Sequence, residues 1–259
     1  MSFLFYEKEV FGMKGRLLFT TAMILCLLLA VSAYAADFEE HATGGTLNNV
    51  WYKLGAGTNF NDDVVAIADA SAPDGDGYVL ELYDRDNNYF GIAAACSSET
   101  PWLDLTLDGW VYAYNTPQNG VNCQVGFMFR ADRMSETQYA RVLLNLPKTD
   151  GEIKIQTYTG GSWGTEEIDI DDAWATTGWH HLVIEVGGVD HNEVTVTFDD
   201  HVLPTKTMAA LGPGGGLADA GLIGLGILHY NAAPPIPVLF DNIKVTASPP
   251  SGIKDWTMY

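Results

Sequence analysis

Cationic side chains are scarce in this chain: its 259 residues hold 13 lysines and arginines against 33 aspartates and glutamates, a formal net charge of −20. An acid excess of this size repels phosphate backbones and anionic lipid headgroups, which argues against nucleic acid and membrane surfaces as partners. Cysteine is nearly as rare, with three in all, so the chain is neither a disulfide-dense scaffold nor a cysteine-built metal finger. Helical periodicity is missing as well: between residues 36 and 248 no apolar face recurs at 3.6-residue spacing over an ordinary helix length. Only one long apolar run occurs, at 17–31, shorter than the ~20 residues a helix needs to span a bilayer. The six histidines are not spaced as a metal-binding trio. His180 and His181 alternate faces, while His191, His201 and His229 are scattered. No Ser-His-Asp or Cys-His arrangement stands out.

The apolar run is preceded by Lys14 and Arg16 and followed by Ser32-Ala33-Tyr34-Ala35-Ala36. A basic start, an apolar stretch and an Ala-x-Ala end describe a secretory signal cleaved after Ala35. Residues 1–35 are therefore expected to be removed, with Met13 an alternative start that makes 1–12 an extension. Cys26 lies inside the run and would leave with it. Removal takes away two acids (Glu7, Glu9) and three bases (Lys8, Lys14, Arg16), leaving 31 acids against ten bases, a net of −21. The expected location is extracellular or periplasmic, with no membrane insertion after cleavage. Export permits a disulfide between Cys96 and Cys123. A strand expected at 105–114 would instead hold the two at its opposite ends. Both outcomes stay open.

Strand-like segments recur through 36–248: 64–68, 78–83, 89–95, 105–114, 123–130, 139–146, 152–158, 167–170, 222–228 and 238–246. Between them stand turn signals such as Pro73-Asp74-Gly75-Asp76-Gly77, Thr149-Asp150-Gly151 and Thr159-Gly160-Gly161. The clearest pair is Trp179-His180-His181-Leu182-Val183-Ile184-Glu185-Val186 and Glu193-Val194-Thr195-Val196-Thr197-Phe198-Asp199-Asp200. Apolar and polar residues alternate through both, with Gly187-Gly188 and Asp190-His191-Asn192 between them. Period two sets one row on a core and the other on water, so the pair reads as an antiparallel hairpin. The expected fold is all-β: one domain over 36–248 of two packed antiparallel sheets. Residues 212–216 read as a flexible loop, and 249–259 as a tail carrying Trp256 and Tyr259.

Three features together resemble the concanavalin A-like lectin/glucanase superfamily, in its laminin-G-like jelly-roll branch. They are the opening Asp37-Phe38-Glu39-Glu40, the hairpin with its Trp-His start, and the final Leu239-Phe240-Asp241-Asn242-Ile243-Lys244-Val245. In the family the hairpin ends in Asp-Gly, where this chain has Asp199-Asp200. Gly126-Phe127-Met128-Phe129-Arg130 and Tyr139-Ala140-Arg141 look like the family's inner-sheet strands. The resemblance covers nearly all of 37–246 and implies a two-sheet jelly roll whose first and last strands lie side by side. It also implies a structural calcium held by Glu39, Asp241 and the carbonyl of Asp76 or Gly77, an oxygen set that suits this hard cation. Asp74-Gly75-Asp76-Gly77 is not an EF-hand loop, because the twelfth position from Asp74 is Arg85 rather than an acid.

Glu167-Ile168-Asp169-Ile170-Asp171-Asp172 resembles the Glu-Ile-Asp-Ile-Glu strand of laminarinase-type glycoside hydrolases, in which paired carboxyls cut the glycosidic bond. Asp171 is shorter than the glutamate expected there, and only eight residues separate Ile170 from Trp179. A short edge strand or a loop with exposed acids is the reading favoured for this segment. A ligand cleft is expected elsewhere. Trp110, Tyr112 and Tyr114 alternate onto one side of a strand, and Arg130, Tyr139, Arg141, Asn145 and Gln156 lie on neighbouring strands. Flat aromatics cover the apolar faces of sugar rings, while Arg, Asn and Gln read hydroxyls or carboxylates. The functional expectation is a secreted, non-catalytic domain binding a glycan or other extracellular ligand, with a structural calcium. The alternatives are a polysaccharide-active hydrolase or lyase using carboxylates in the concave cleft, and an extracellular structural or adhesion protein.

Overall fold

The computed structural model describes residues 38–40, 46–53, 64–82, 90–97, 101–117, 122–131, 138–147, 151–159, 162–188, 191–208, 220–230 and 238–247. The chain divides into two compact units, Met1–Ala36 and Asp37–Tyr259. The expected signal segment 1–35, the loop 212–216 and the tail 249–259 lie outside the described residues.

The described residues of the second unit form sixteen strands: β1 (Phe38–Glu40), β2 (Trp51–Lys53), β3 (Val64–Ala68), β4 (Tyr78–Leu82), β5 (Phe90–Ser97), β6 (Leu105–Ala113), β7 (Cys123–Ala131), β8 (Gln138–Asn145), β9 (Glu152–Thr159), β10 (Ser162–Asp169), β11 (Gly178–Gly187), β12 (Glu193–Phe198), β13 (His201–Val202), β14 (Lys206–Thr207), β15 (Leu222–Tyr230) and β16 (Val238–Ala247). They form two antiparallel sheets. The nine-stranded sheet runs β13-β12-β11-β6-β16-β4-β3, with β1 added on β16 and β14 on β12; the seven-stranded sheet runs β10-β9-β8-β7-β15-β5-β2. The expected two-sheet jelly roll is thus present, and β1 pairs with β16 through Phe38 opposite Val245.

Alternation explains why these segments are strands. In β6 the burial alternates strictly, with Leu105, Leu107, Gly109, Val111 and Ala113 inward and the residues between them partly exposed, the signature of a sheet with one face on a core. The core fills the space between the sheets, where Phe127, Phe129, Leu144 and Ile155 of one meet Leu80, Leu107, Ile184, Phe198 and Phe240 of the other. Gly109 is required there, because a Cβ at that position would stand 2.8 Å from the Phe127 ring.

The expected hairpin is β11–β12, in register from Leu182 opposite Phe198 to Gly187 opposite Glu193. Its far end turns through Asp199 (φ 45°) and Asp200 (φ 68°) into β13, a two-residue loop with both residues left-handed, which ordinarily favours Asn-Gly or Asp-Gly. Asp199 is held in that conformation by its own carboxylate, which accepts from the His181 N–H at 2.8 Å and meets His180 Nδ1 at 2.7 Å.

At the start of the domain, Glu40 is fully buried. Its carboxylate accepts from the Asn48 N–H (2.7 Å), the Asn49 N–H (2.9 Å) and Trp51 Nε1 (3.3 Å), tying β1 to β2 on the opposite sheet. Burial pushes its pKa up, opposed by those donors. The cysteine question is decided by register. Cys96 lies opposite Gly224 on one side of β15, and Cys123 lies opposite His229 on the other. Five residues along a strand and two strand spacings across put them roughly 15–20 Å apart, far beyond disulfide reach. Cys123 is free and buried, its thiol pushed up to about 12 by burial.

Candidate functional site

The outer face of the seven-stranded sheet gathers polar and aromatic side chains in rows set by strand register. In the first row Tyr139 of β8, Tyr158 of β9 and Trp163 of β10 stand side by side. Their ring centroids are 5.3 Å (Tyr139–Tyr158) and 4.8 Å (Tyr158–Trp163) apart. Trp163 is 41% exposed, leaving an indole at the end of the row where a sugar ring could stack. The second row is Arg141, Gln156 and Thr165. Arg141 Nε donates to Gln156 Oε1 at 2.8 Å, and Gln156 Nε2 donates to Thr165 Oγ1 at 3.1 Å. The Arg141 guanidinium carbon lies 4.8 Å from the Trp163 ring centroid, a cation–π contact that braces the shelf.

The third row pairs Lys154 with Glu167, and the fourth sets Asn145, Glu152 and Asp169 in line. Lys154 Nζ reaches Glu152 Oε1 at 3.0 Å and Glu167 Oε1 at 3.2 Å, so one ammonium holds two carboxylates. Burial alone would lower the Lys154 pKa, but hydrogen bonds to Glu152 and Glu167 and their charges outweigh it and hold the group above its ordinary value. Glu152 is fully buried and also accepts from Asn145 Nδ2, whereas Glu167 is 45% exposed. Two carboxyls of unequal exposure, one fixed and one open, form a pairing that acid–base chemistry can use.

Of the residues expected in the cleft, the structure brings Tyr139, Arg141, Asn145 and Gln156 together. Trp110 is on β6 of the other sheet, stacked on His181 at 4.8 Å, near the Tyr112–Tyr114 and Tyr112–Trp179 contacts. Arg130, at φ 52° near the end of β7, turns into a buried clamp. It donates through Nε (3.1 Å) and Nη2 (2.9 Å) to the Leu103 carbonyl and also to that of His191, with Asp104 at 3.9 Å. Burial lowers its pKa to about 10 against the pull of Asp104. Glu167 and Asp169 lie on the edge strand β10, while Asp171 is past its end, capping a turn through the Ala173 N–H at 2.9 Å.

Among the expected calcium ligands, Asp241 is fully buried at a bulge of β16, and its neighbour Asn242 is left-handed at φ 48°. Burial, with Asp74 and Asp76 nearby, raises its pKa to about 6. It accepts from the Asn242 N–H at 2.8 Å and, more weakly, from the Asp74 N–H at 3.4 Å. Gly77 lies in the same turn at φ 85°, its carbonyl accepting from the Asp69 N–H at 2.9 Å. The Glu39 carboxylate is half exposed and bound to Lys244 Nζ at 3.2 Å. Among the described residues no three His, Cys, Asp or Glu side chains converge as a metal site. Asp241 suits a cation; Glu39, turned to Lys244, does not share its place.

Trp163, Tyr158, Glu152, Lys154 and Gln124 were not singled out by sequence. Period two through 152–158 was the available signal, since it puts Glu152, Lys154, Gln156 and Tyr158 on one face.

Two sheets in this order define the concanavalin A-like jelly roll, and solved structures share it. An endo-1,3-β-glucanase from Streptomyces sioyaensis superimposes with a TM-score of 0.55 at 13% identity, over 82% of this chain and 96% of that one. A structure from work on endo-acting O-glycanases of the human gut microbiota gives 0.52 at 13% identity, over 82% and 99%. The transglycosylase Crh5 gives 0.51 at 13% identity, over 83% and 86%. No protein-family model matches the chain, and no curated protein matches it. Nothing in these likenesses singles out the laminin-G branch. These are described as a glucanase, O-glycanases and a transglycosylase, enzymes rather than binding modules, which corrects the expectation of a non-catalytic binding domain.

Proposed function

We propose that the protein is a secreted enzyme that cleaves polysaccharide on the outer face of the seven-stranded sheet. The observation that carries this reading is the pair Glu152 and Glu167 on one ammonium, Lys154, with Glu167 two rows and Glu152 three rows from the Tyr139–Tyr158–Trp163 shelf. The shelf holds the apolar face of a sugar ring, and Arg141 and Gln156 set its orientation. Glu167, the more open carboxyl, gives a proton to the bridging oxygen as its bond to the anomeric carbon breaks, and then takes one from the attacking water. Glu152, fixed by Lys154 and Asn145, attacks the anomeric carbon, and water then cleaves the glycosyl ester so formed. Carboxyls within reach of one ammonium match the ~5–5.5 Å of retaining hydrolysis better than the wider spacing of inverting enzymes. An acid pair favours hydrolysis over elimination. Glu167→Gln should lower reducing-sugar release at least a hundredfold with the circular dichroism spectrum unchanged. Retained release, or products carrying the ultraviolet absorbance of unsaturated uronates, would overturn the hydrolytic assignment.

A structural calcium belongs to the same proposal, with the Asp241 carboxylate and carbonyls of the Gly77 turn as its oxygens. Bound there, the ion would offset the cost of a buried anion and lock the last strand to the Asp74–Tyr78 turn.

A further inference from the structure

In the fourth row of the same face, two buried side chains have oxygens for which no described residue supplies a donor. Gln124 is 1% exposed and Asn145 5%, and neither Gln124 Oε1 nor Asn145 Oδ1 has a hydrogen-bond partner. The two stand next to each other. Val125 pairs with Leu144, so one step further along the antiparallel strands sets Gln124 beside Asn145. Asn145 in turn pairs with Glu152, and Glu152 with Asp169. The amide orientation of Asn145 is fixed because its Nδ2 is spent on Glu152, which leaves its oxygen directed away from that carboxylate. A buried acceptor without a donor costs roughly 1–3 kcal/mol, and two neighbours on one face are not explained by packing. On the far side of Gln124 the row continues to Leu228 of β15, an apolar border.

We infer that Gln124 and Asn145 form a sugar subsite beside the Glu152–Glu167 pair, accepting hydrogen bonds from the hydroxyls of an uncharged glycan. The assignment rests on the polysaccharide reading above and specifies its substrate class. Hydroxyls are donors, and each orphaned oxygen calls for one. The charge around the row disfavours a polyuronate: Glu152, Asp169 and Glu167 outnumber Lys154 and Arg141, and an additional carboxylate beside the row would meet like charge. Discrimination of this kind is strong because a ligand lacking the donor leaves the acceptors unpaired.

Gln124→Met tests the subsite, since it keeps the side-chain length and removes the unpaired oxygen. Thermal shift and turnover are measured on the protein with laminarin, lichenan and xylan, and with alginate and polygalacturonate. The expected result is thermal protection and turnover with a neutral polymer only. The variant should melt no lower than the parent, with KM raised about tenfold and kcat little changed. A variant that melts several degrees lower with KM unaltered makes Gln124 a packing residue and overturns the inference. Turnover of the uronate polymers alone also overturns it while leaving the polysaccharide reading intact. Protection by a neutral oligosaccharide that Gln124→Met abolishes, without cleavage of any polymer, supports the subsite and overturns the enzymatic reading instead.

Discussion

Asp241 shows how one side chain can set the response of the molecule to pH. Its carboxyl has a folded-state pKa of about 6 against an ordinary 3.8, mainly because it is buried. With the folded value above the unfolded one, the native state binds more protons between these limits. The stability this group contributes is therefore complete below about pH 4 and is lost as pH rises through about 6. Asp241→Asn is expected to raise the melting temperature of the metal-free protein at pH 7 and to flatten its pH profile between 4 and 6. If calcium occupies the site, chelation should lower the melting temperature of the parent but not of the variant. A parent profile already flat in that window would show that the carboxyl is not desolvated as described.

Among the elements, β1 is only three residues long, and Glu40 is what secures it. Three donors from 48–51 converge on this carboxylate. Glu40→Ala should cost about 2–4 kcal/mol in denaturant unfolding, since it strands two backbone N–H groups and an indole N–H. Glu40→Gln, which retains one acceptor oxygen, should recover part of that loss. The elements also show how far sequence carries. The β11–β12 hairpin was legible because Leu182, Ile184, Val186, Val194, Val196 and Phe198 alternate cleanly. The site was legible only in part. Alternation says that Trp110, Tyr112 and Tyr114 share a face, but not which of two sheets that face belongs to. Consecutive strands β6 and β7 lie in different sheets, so residues close in sequence separate by the thickness of the core. Trp163 escaped notice because β10 begins at Ser162, five residues before the acidic run that drew attention to that strand. Arg130 differs for another reason: its left-handed backbone re-aims a side chain that strict alternation would put opposite Tyr139.

At the scale of the whole molecule, the fold is held without a covalent crosslink between Cys96 and Cys123. Stability comes from the core between the sheets and from ties such as Arg130 to Leu103 and Lys206 to Glu166. A reducing agent should leave the melting temperature unchanged, and thiol titration of the denatured mature protein should count two free cysteines. A drop of several degrees on reduction would show that the two strands flanking β15 are not where the register puts them. The pairing of Phe38 with Val245 has one more consequence. With Phe38 and Val245 only one strand spacing apart, a few flexible residues joining β16 to β1 should give a circularly permuted domain that still folds.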